Sequence, residues 1–257
     1  MSYYISSCSN GKDSLALTYE LIACGCPLDE IVFYDTGMEF QAIYNNWENL
    51  CAYAKQHDIK TTILYPDQAF LYKMLDKEVK NRDGSGFHKG YSWCGGACRW
   101  GTTDKLKFLD KYCEDKSAFC YVGIAADETH RLEKERKPYK IFPLIEWGWT
   151  ESQCLLYCSN IGINWLEPSS ATENGFIELY NILCRVSCWC CGNKNHWELY
   201  NIWKYLYENY WCRLRFLQSC NKRPFKTKYS IFDFEKRFEN GYIPPKPKNK
   251  AAVNHGK

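Results

Sequence analysis

The chain has 257 residues, of which 46% are hydrophobic, 25% charged and 17% aromatic, with a formal net charge of +3. That composition predicts a globular protein with a sizeable core and argues against disorder, while a net charge so close to neutral does not by itself signal nucleic-acid binding. No apolar run is long enough for a membrane span, and MSYYISSCSNG has no basic region followed by an apolar one. The expectation is therefore a cytoplasmic protein with no membrane partner.

In chain order, Tyr3 to Ser7 reads as a short buried strand, and Asp13 to Cys24 as a helix with Leu15, Tyr19 and Ile22 at helical spacing. The segment SNGKDS joins them. Ile31 to Tyr34 is a second strand ending at Asp35-Thr36-Gly37, Glu39 to Gln56 a helix, and Thr61 to Tyr65 a third strand. The polar, glycine-rich stretch KNRDGSGFHKG, 80 to 90, reads as a mobile loop. Thr103 to Tyr112 resumes helix, Phe119 to Ile124 is a strand, and the charge run LEKERK after Arg131 reads as a solvated face. Further helices are expected from Thr150 to Asn160 and from His196 to Leu217. Alternation of strand and helix predicts an α/β fold, a Rossmann-like, mainly parallel sheet with helices on both faces. Three regions are expected: a nucleotide-binding domain over 1–165, a helical, cysteine-containing region over 166–240, and a disordered basic tail over 241–257.

A strand that ends in small residues and opens a helix leaves backbone N–H groups converging on one spot, where the helix dipole adds positive potential. In SNGKDS, Gly11 permits close approach, Lys12 adds a full charge, and Ser9 and Ser14 add hydroxyls. This is an anion cradle, and it lacks the GxxxxGK[ST] spacing of a P-loop. Asp35 and Glu39 follow the second strand, where open α/β sheets bind ligands. They suit a magnesium ion or a ribose, or alternatively cap the next helix. Gly123, Asp127, Glu128 and Arg131 follow a later strand in the same way. Arg131 suits a second phosphate or sulfate, the alternative being a surface salt-bridge turn.

SNGKDS resembles the SGGKDS loop of the adenine nucleotide alpha-hydrolase superfamily, the PP-loop ATP pyrophosphatases, with Asn10 in place of the first glycine. VFYDTGMEF, WCGGACRWGTTDKLKFL, YVGIAADETHR and KIFPLIEWGWTESQCLLYC are similar, in order, to segments of its phosphoadenosine phosphosulfate (PAPS) reductase-like branch, covering roughly Ile5 to Leu217. The resemblance implies that Ser7, Ser9, Asn10, Gly11, Lys12, Asp13, Ser14, Asp35, Thr36, Gly37, Glu39, Gly123, Asp127 and Glu128 bind ATP with magnesium, or PAPS. Lys12, Asp13 and Arg131 would act in catalysis.

Sixteen cysteines in a chain expected to be cytosolic are more than packing needs, so some should bind a metal or act chemically. Cys94-x3-Cys98 and Cys188-x2-Cys191 form a credible four-thiolate site, with Cys184 or Cys190 in reserve. Spacing alone does not separate zinc from a [4Fe-4S] cluster. Cys184-x3-Cys188-x2-Cys191 also has radical-SAM spacing, which nothing else in the chain supports. Cys24, Cys51, Cys113, Cys154 and Cys212 read as ordinary thiols.

Three functions follow. The first is ATP cleavage between the α and β phosphates to adenylate an acceptor for sulfur transfer, with a sulfur donor protein and tRNA or DNA as candidate partners. The second is reduction of PAPS or its unphosphorylated analogue, but the thiol-dependent reductases carry a cysteine in a C-terminal ECG.H segment, and no cysteine follows Cys220 here. The third is a non-catalytic nucleotide- or nucleic-acid-binding module, suggested by aromatics interleaved with basic residues from Trp203 to Lys226. An amphipathic helix packed on the core gives the same pattern.

Overall fold

The computed structural model describes residues 2–94, 98, 101–132 and 137–247. Its centre is a five-stranded, all-parallel sheet in the order β3-β2-β1-β6-β7, formed by β1 (Tyr3–Ser7), β2 (Glu30–Tyr34), β3 (Lys60–Leu64), β6 (Ala118–Val122) and β7 (Lys140–Ile141). Parallel neighbours need crossovers, and helices supply them. On one face α1 (Lys12–Ala23) and α2 (Gln41–Gln56) cover Ile31 and Phe33 with Leu15, Leu17, Leu21, Ile43, Trp47 and Leu50. On the other, α4 (Thr102–Asp115) covers Ile5, Val32 and Cys120 with Leu109 and Cys113. The alternation of Ile31, Val32 and Phe33 between these two cores is the period-2 consequence of a strand buried on both sides. After β3 the chain returns across β1 to build β6 and β7, so β1 and β6 flank the point where the strand order reverses.

The order of elements agrees with the sequence reading, and the differences are informative. Residues 80–90 do not form an unstructured loop: β4 (Glu78–Lys80) and β5 (Phe87–Lys89) pair antiparallel. Asn81 N–H donates to Gly86 O, and Gly84 and Gly86 take the positive φ angles that the turn requires. Three-residue strands are too short for periodicity to reveal. The helix expected over 196–217 is three segments, α8 (His196–Tyr205), a π turn (Tyr207–Trp211) and α9 (Cys212–Ser219). The wider turn lets the consecutive Tyr210 and Trp211 both point inward, to hydrogen-bond Glu167 and Glu235 respectively. The short helix α3 (Phe70–Leu75), helices α5 (Pro143–Glu146) and α7 (Leu179–Ile182), and the hairpin β8 (Leu166–Pro168)–β9 (Phe176–Glu178) carry little periodic signal. α6 (Glu151–Asn160) begins at a capping box of Thr150 and Gln153, and α10 (Ile231–Glu239) at one of Ser230 and Asp233.

Buried residues on either side of position 165 share one cluster, in which Met38 and Phe40 meet Trp189, Tyr210 and Leu179. Within the expected tail, residues 241–247 have no regular structure; 248–257 lie outside the described residues, as do 133–136 of the charge run. No helix among the described residues is long and apolar enough to cross a membrane.

At the amino end of β2, Glu30 is 0% exposed and ionised. Burial opposes its charge. Bonds from Lys116, Thr62, Lys60 and Tyr112 outweigh that and lower its pKa to about 2. A carboxylate with a depressed folded pKa stabilises the fold above its unfolded pKa near 4.5, and that contribution fades as the pH falls towards 2. Glu30→Gln should cost about 2 kcal/mol at pH 7, and the difference from wild type should shrink on acidification, as read by urea unfolding at several pH values.

Candidate functional site

The loop after β1 is built by its own small residues and by side chains from far along the chain. Asn10 takes a left-handed φ of 57°, which asparagine tolerates, and its carbonyl accepts from the buried Trp165 indole N–H at 2.8 Å. Ser14 Oγ accepts from Ser9 N–H and donates to Gly11 O, both at 3.1 Å, closing the turn. Gly11 then caps α1 in extended geometry without a side-chain bond, so the first-turn N–H groups depend on outside acceptors. One of them, Lys12 N–H, donates to the Tyr180 hydroxyl at 2.9 Å. At the adjacent strand end, a Cβ on Gly123 would lie 2.9 Å from Ser14 Cα, so only glycine lets β6 end this close to α1.

These parts surround a polar cavity of about 130 Å³. Its lining includes Ser9, Gly11, Lys12, Asp13, Ser14 and Gly123 from the two strand ends. Glu128, Arg131, Glu151, Tyr180, Cys184, Arg185 and Val186 complete it. Lys12 is only 8% exposed and is held by Asp13 at 2.8 Å and Glu151 at 2.9 Å. Burial opposes its charge, but the two carboxylates outweigh it and raise the ammonium above its ordinary pKa. Asp13 is also raised, by burial first, with Lys12 offsetting part of the effect and Glu151 and Glu128 adding to it. Arg131 donates to Glu128 at 2.7 Å, the salt-bridge turn considered from sequence, yet both side chains still border the cavity.

Several expected ligand residues lie elsewhere. Ser7 sits in β1 opposite Val32 and Val122, and Asn10 is fully buried behind the loop. Asp127 accepts from Glu151 N–H at 3.0 Å and so holds the start of α6. Asp35 accepts from Gly37 N–H and the Tyr44 hydroxyl, while Thr36 donates to Glu39 and accepts from Met38 N–H. These bonds close a turn but cap no helix: α2 starts after Phe40 without a side-chain cap, its Gln41 and Ala42 N–H groups donating to Tyr210 and Glu167, and none of Asp35, Thr36, Gly37 and Glu39 lines the cavity. Their neighbour is the second cysteine pair: Cys188 Sγ donates to Glu39 at 3.4 Å, and Trp189 N–H donates to Met38 O at 3.0 Å.

The two cysteine pairs come together through backbone contact. A Cβ on Gly192 would lie 2.2 Å from Cys94 O, so the loop after Cys191 rests directly on the first pair. The Cys94 side chain bonds Cys98 and, with burial and the nearby Cys188, pushes the Cys98 thiol far up. Cys188 is raised by burial first, then by Glu39, Cys190 and Cys191. Cys94, Cys98 and Cys188 are thus close enough to oppose one another's ionisation. Among the described residues, no group of three or more His, Cys, Asp or Glu side chains is arranged to hold an ion. Gly95 to Ala97, Arg99 and Trp100 lie outside the described residues. Of the reserve cysteines, Cys190 is buried and Cys184 is exposed at the cavity wall.

Sequence reasoning did not single out Tyr180, Glu151 or Arg185. Tyr180 and Arg185 lie in segments with no motif of their own and Glu151 at an unremarked position of KIFPLIEWGWTESQCLLYC, and each reaches the loop only through tertiary contact. The Tyr180 ring packs edge-on against Trp165, and among the described residues its hydroxyl accepts from Lys12 N–H without donating to any acceptor. The phenol hydrogen is thus free for an anion in the cavity. Tyr180→Phe should weaken pyrophosphate binding by about tenfold, measured calorimetrically, because one buried donor is lost.

No family model matches the chain. An uncharacterized protein of Methanocaldococcus jannaschii is 29% identical over 150 residues, which cover 54% of this chain and 28% of that protein. The match thus spans little more than a quarter of the relative's length.

Proposed function

We propose that this chain is a PAPS reductase-like PP-loop enzyme that cleaves ATP between the α and β phosphates and adenylates an acceptor for sulfur transfer. The observation that carries this reading is the convergence of the SNGKDS loop, Gly123 and Arg131 on one cavity at the strand-order reversal, with a buried, charged lysine in its wall. The parallel order β3-β2-β1-β6-β7 with helices on both faces supports an adenine nucleotide alpha-hydrolase fold.

In this reading the first-turn N–H groups of α1, Lys12 and the Tyr180 hydroxyl receive the pyrophosphate. Charge that builds on the leaving oxygen as the α–β bond breaks is stabilised by donors already in position, without a covalent enzyme intermediate. Asp13 and Glu151 keep Lys12 protonated and aimed, and Arg131 offers two parallel donors to a second phosphoryl group. Magnesium supplies further charge neutralisation when it accompanies the nucleotide. Cys94, Cys98, Cys188 and Cys191 would hold zinc or an iron–sulfur cluster beside the Thr36–Glu39 turn.

Incubation with ATP and magnesium, followed by product chromatography, tests the assignment. Pyrophosphate is expected, together with AMP as water takes the adenylyl group in place of the absent acceptor. Sulfite from PAPS with no turnover of ATP would replace this reading with the reductase. Anaerobic purification with a visible spectrum and metal analysis separates the two metal alternatives.

A further inference from the structure

A second, larger cavity of about 640 Å³ lies between the α3 segment and α4. It is lined by Lys73, Lys77, Lys107 and Lys111 against only Asp67 and Asp104. Lys107 and Lys111, one turn apart on α4, face the same side, and Lys73 and Lys77 oppose them. Lys73 is buried and paired with Asp104, and the Lys77 ammonium lies 6.0 Å from the centre of the Tyr91 ring. Among the described residues no carboxylate pairs with Lys77, Lys107 or Lys111, so the cavity keeps an excess of positive charge in a concave wall, where the field is focused. Behind it, the hydroxyl of the buried Tyr34 has no hydrogen-bond partner among the described residues. The Tyr34 ring packs at 5.6 Å on Phe108, itself part of the lining.

We propose that this cavity and its rim bind the backbone of a single-stranded nucleic acid. Lysines on two opposed walls, Lys77 against Lys107 and Lys111, suit successive phosphates better than one small anion. Next to the lining in the chain are exposed aromatic faces suited to base stacking, Tyr65 two residues before Asp67 and Phe87 in the hairpin between Lys77 and Tyr91, 61% and 62% exposed; that hairpin carries Lys80, Arg82 and Lys89 against Glu78 and Asp83. The stretch from Trp203 to Lys226 is less suited. Trp211 is buried there, and Arg215 is engaged by Glu235 and Tyr207. Both walls of the cavity also lead to the first cysteine pair. Tyr91 lies three residues before Cys94, and α4 starts four residues after Cys98. A strand held here is the acceptor in the proposed sulfur transfer; only that role, and not the binding, rests on the proposed reaction.

Fluorescence anisotropy with a labelled oligonucleotide of about twelve residues tests the binding. Wild type should bind at low salt. The double variant Lys107→Glu, Lys111→Glu should bind at least about tenfold more weakly, with a salt dependence lower by roughly 1.4 in logarithmic slope. Lys77→Glu, from the opposite wall, should weaken binding in the same direction. The control Lys204→Glu, Lys236→Glu makes the same charge change on α8 and α10 and should bind as wild type does. No wild-type binding at low salt, unchanged affinity in the cavity variants, or an equal loss in the control overturns the proposal. Pyrophosphate binding at the first cavity, measured on the same proteins, should be unchanged throughout. Its absence from wild type would count against the nucleotide reading while leaving the oligonucleotide result to stand alone.

Discussion

Replacing Lys12 by alanine should lower AMP and pyrophosphate formation by about 10² to 10³-fold while leaving the chain folded. The ammonium is the only cation that the loop itself carries into the cavity, and among the described residues no second lysine lines it. The variant should also acquire a pH-dependent defect. Burial, Glu151 and Glu128 already raise Asp13, and Lys12 is what offsets them. Without Lys12 the Asp13 carboxyl rises further. A group whose folded pKa is raised stabilises the fold at low pH and loses that contribution as the pH climbs through the folded value. The stability deficit of Lys12→Ala should therefore be larger at pH 8 than at pH 5 in thermal melts. An equal deficit at both would show that Asp13 does not depend on Lys12, and undiminished ATP turnover would remove the catalytic role given to the lysine.

Gly192→Ala should be the most damaging small substitution in the cysteine region. The added Cβ would meet the Cys94 carbonyl at 2.2 Å, and the obstacle is backbone that cannot rotate away. The loop after Cys191 must then lift from the first pair, separating Cys94 and Cys98 from Cys188. We expect a loss of about 1 to 3 kcal/mol of stability from overpacking and, at the metal site proposed for these cysteines, a lower metal content than in wild type. Metal content by mass spectrometry and an unfolding curve on the same preparation read both effects. Full metal occupancy in Gly192→Ala would show that the two loops need not touch to hold it. The Tyr180 and Glu30 variants probe the remaining supports of the same architecture, one at the anion loop and one at the opposite end of the strands.

The parts of this protein legible in its sequence are those in which neighbouring residues decide the outcome. The strand–turn–helix at SNGKDS follows from a buried apolar run, from an asparagine that accepts positive φ, and from residues that open a helix. The alternation that builds the parallel sheet follows from short apolar runs separated by helical periodicity. The likeness of DTGME to a ligand-binding segment placed Asp35 and Glu39 near the nucleotide, whereas in the fold Glu39 meets Cys188 and Asp35 is held by Gly37 N–H and the Tyr44 hydroxyl. Nor do they cap the next helix, whose first N–H groups donate to the distant Tyr210 and Glu167.

Tertiary structure decided everything that depends on distant segments meeting. Tyr180 reaches Lys12 across 168 positions, and Glu151 reaches it across 139. No local pattern encodes such an encounter, because an isolated tyrosine or glutamate suits any exposed helix. The lysines of the second cavity are individually ordinary surface residues. They become a concentrated positive wall only when α3 and α4 face each other across a gap. The cysteine pairs lie between these extremes: their spacing was evident in the chain, but their approach depends on a glycine packed against a carbonyl nearly a hundred residues earlier. The sequence alone thus determined the local anion loop and the layered α/β plan, through backbone conformational preference and hydrophobic period. Which side chains share a cavity was settled only by the packing of the sheet and its helices, because charge and hydrogen bonding act through space and not along the chain.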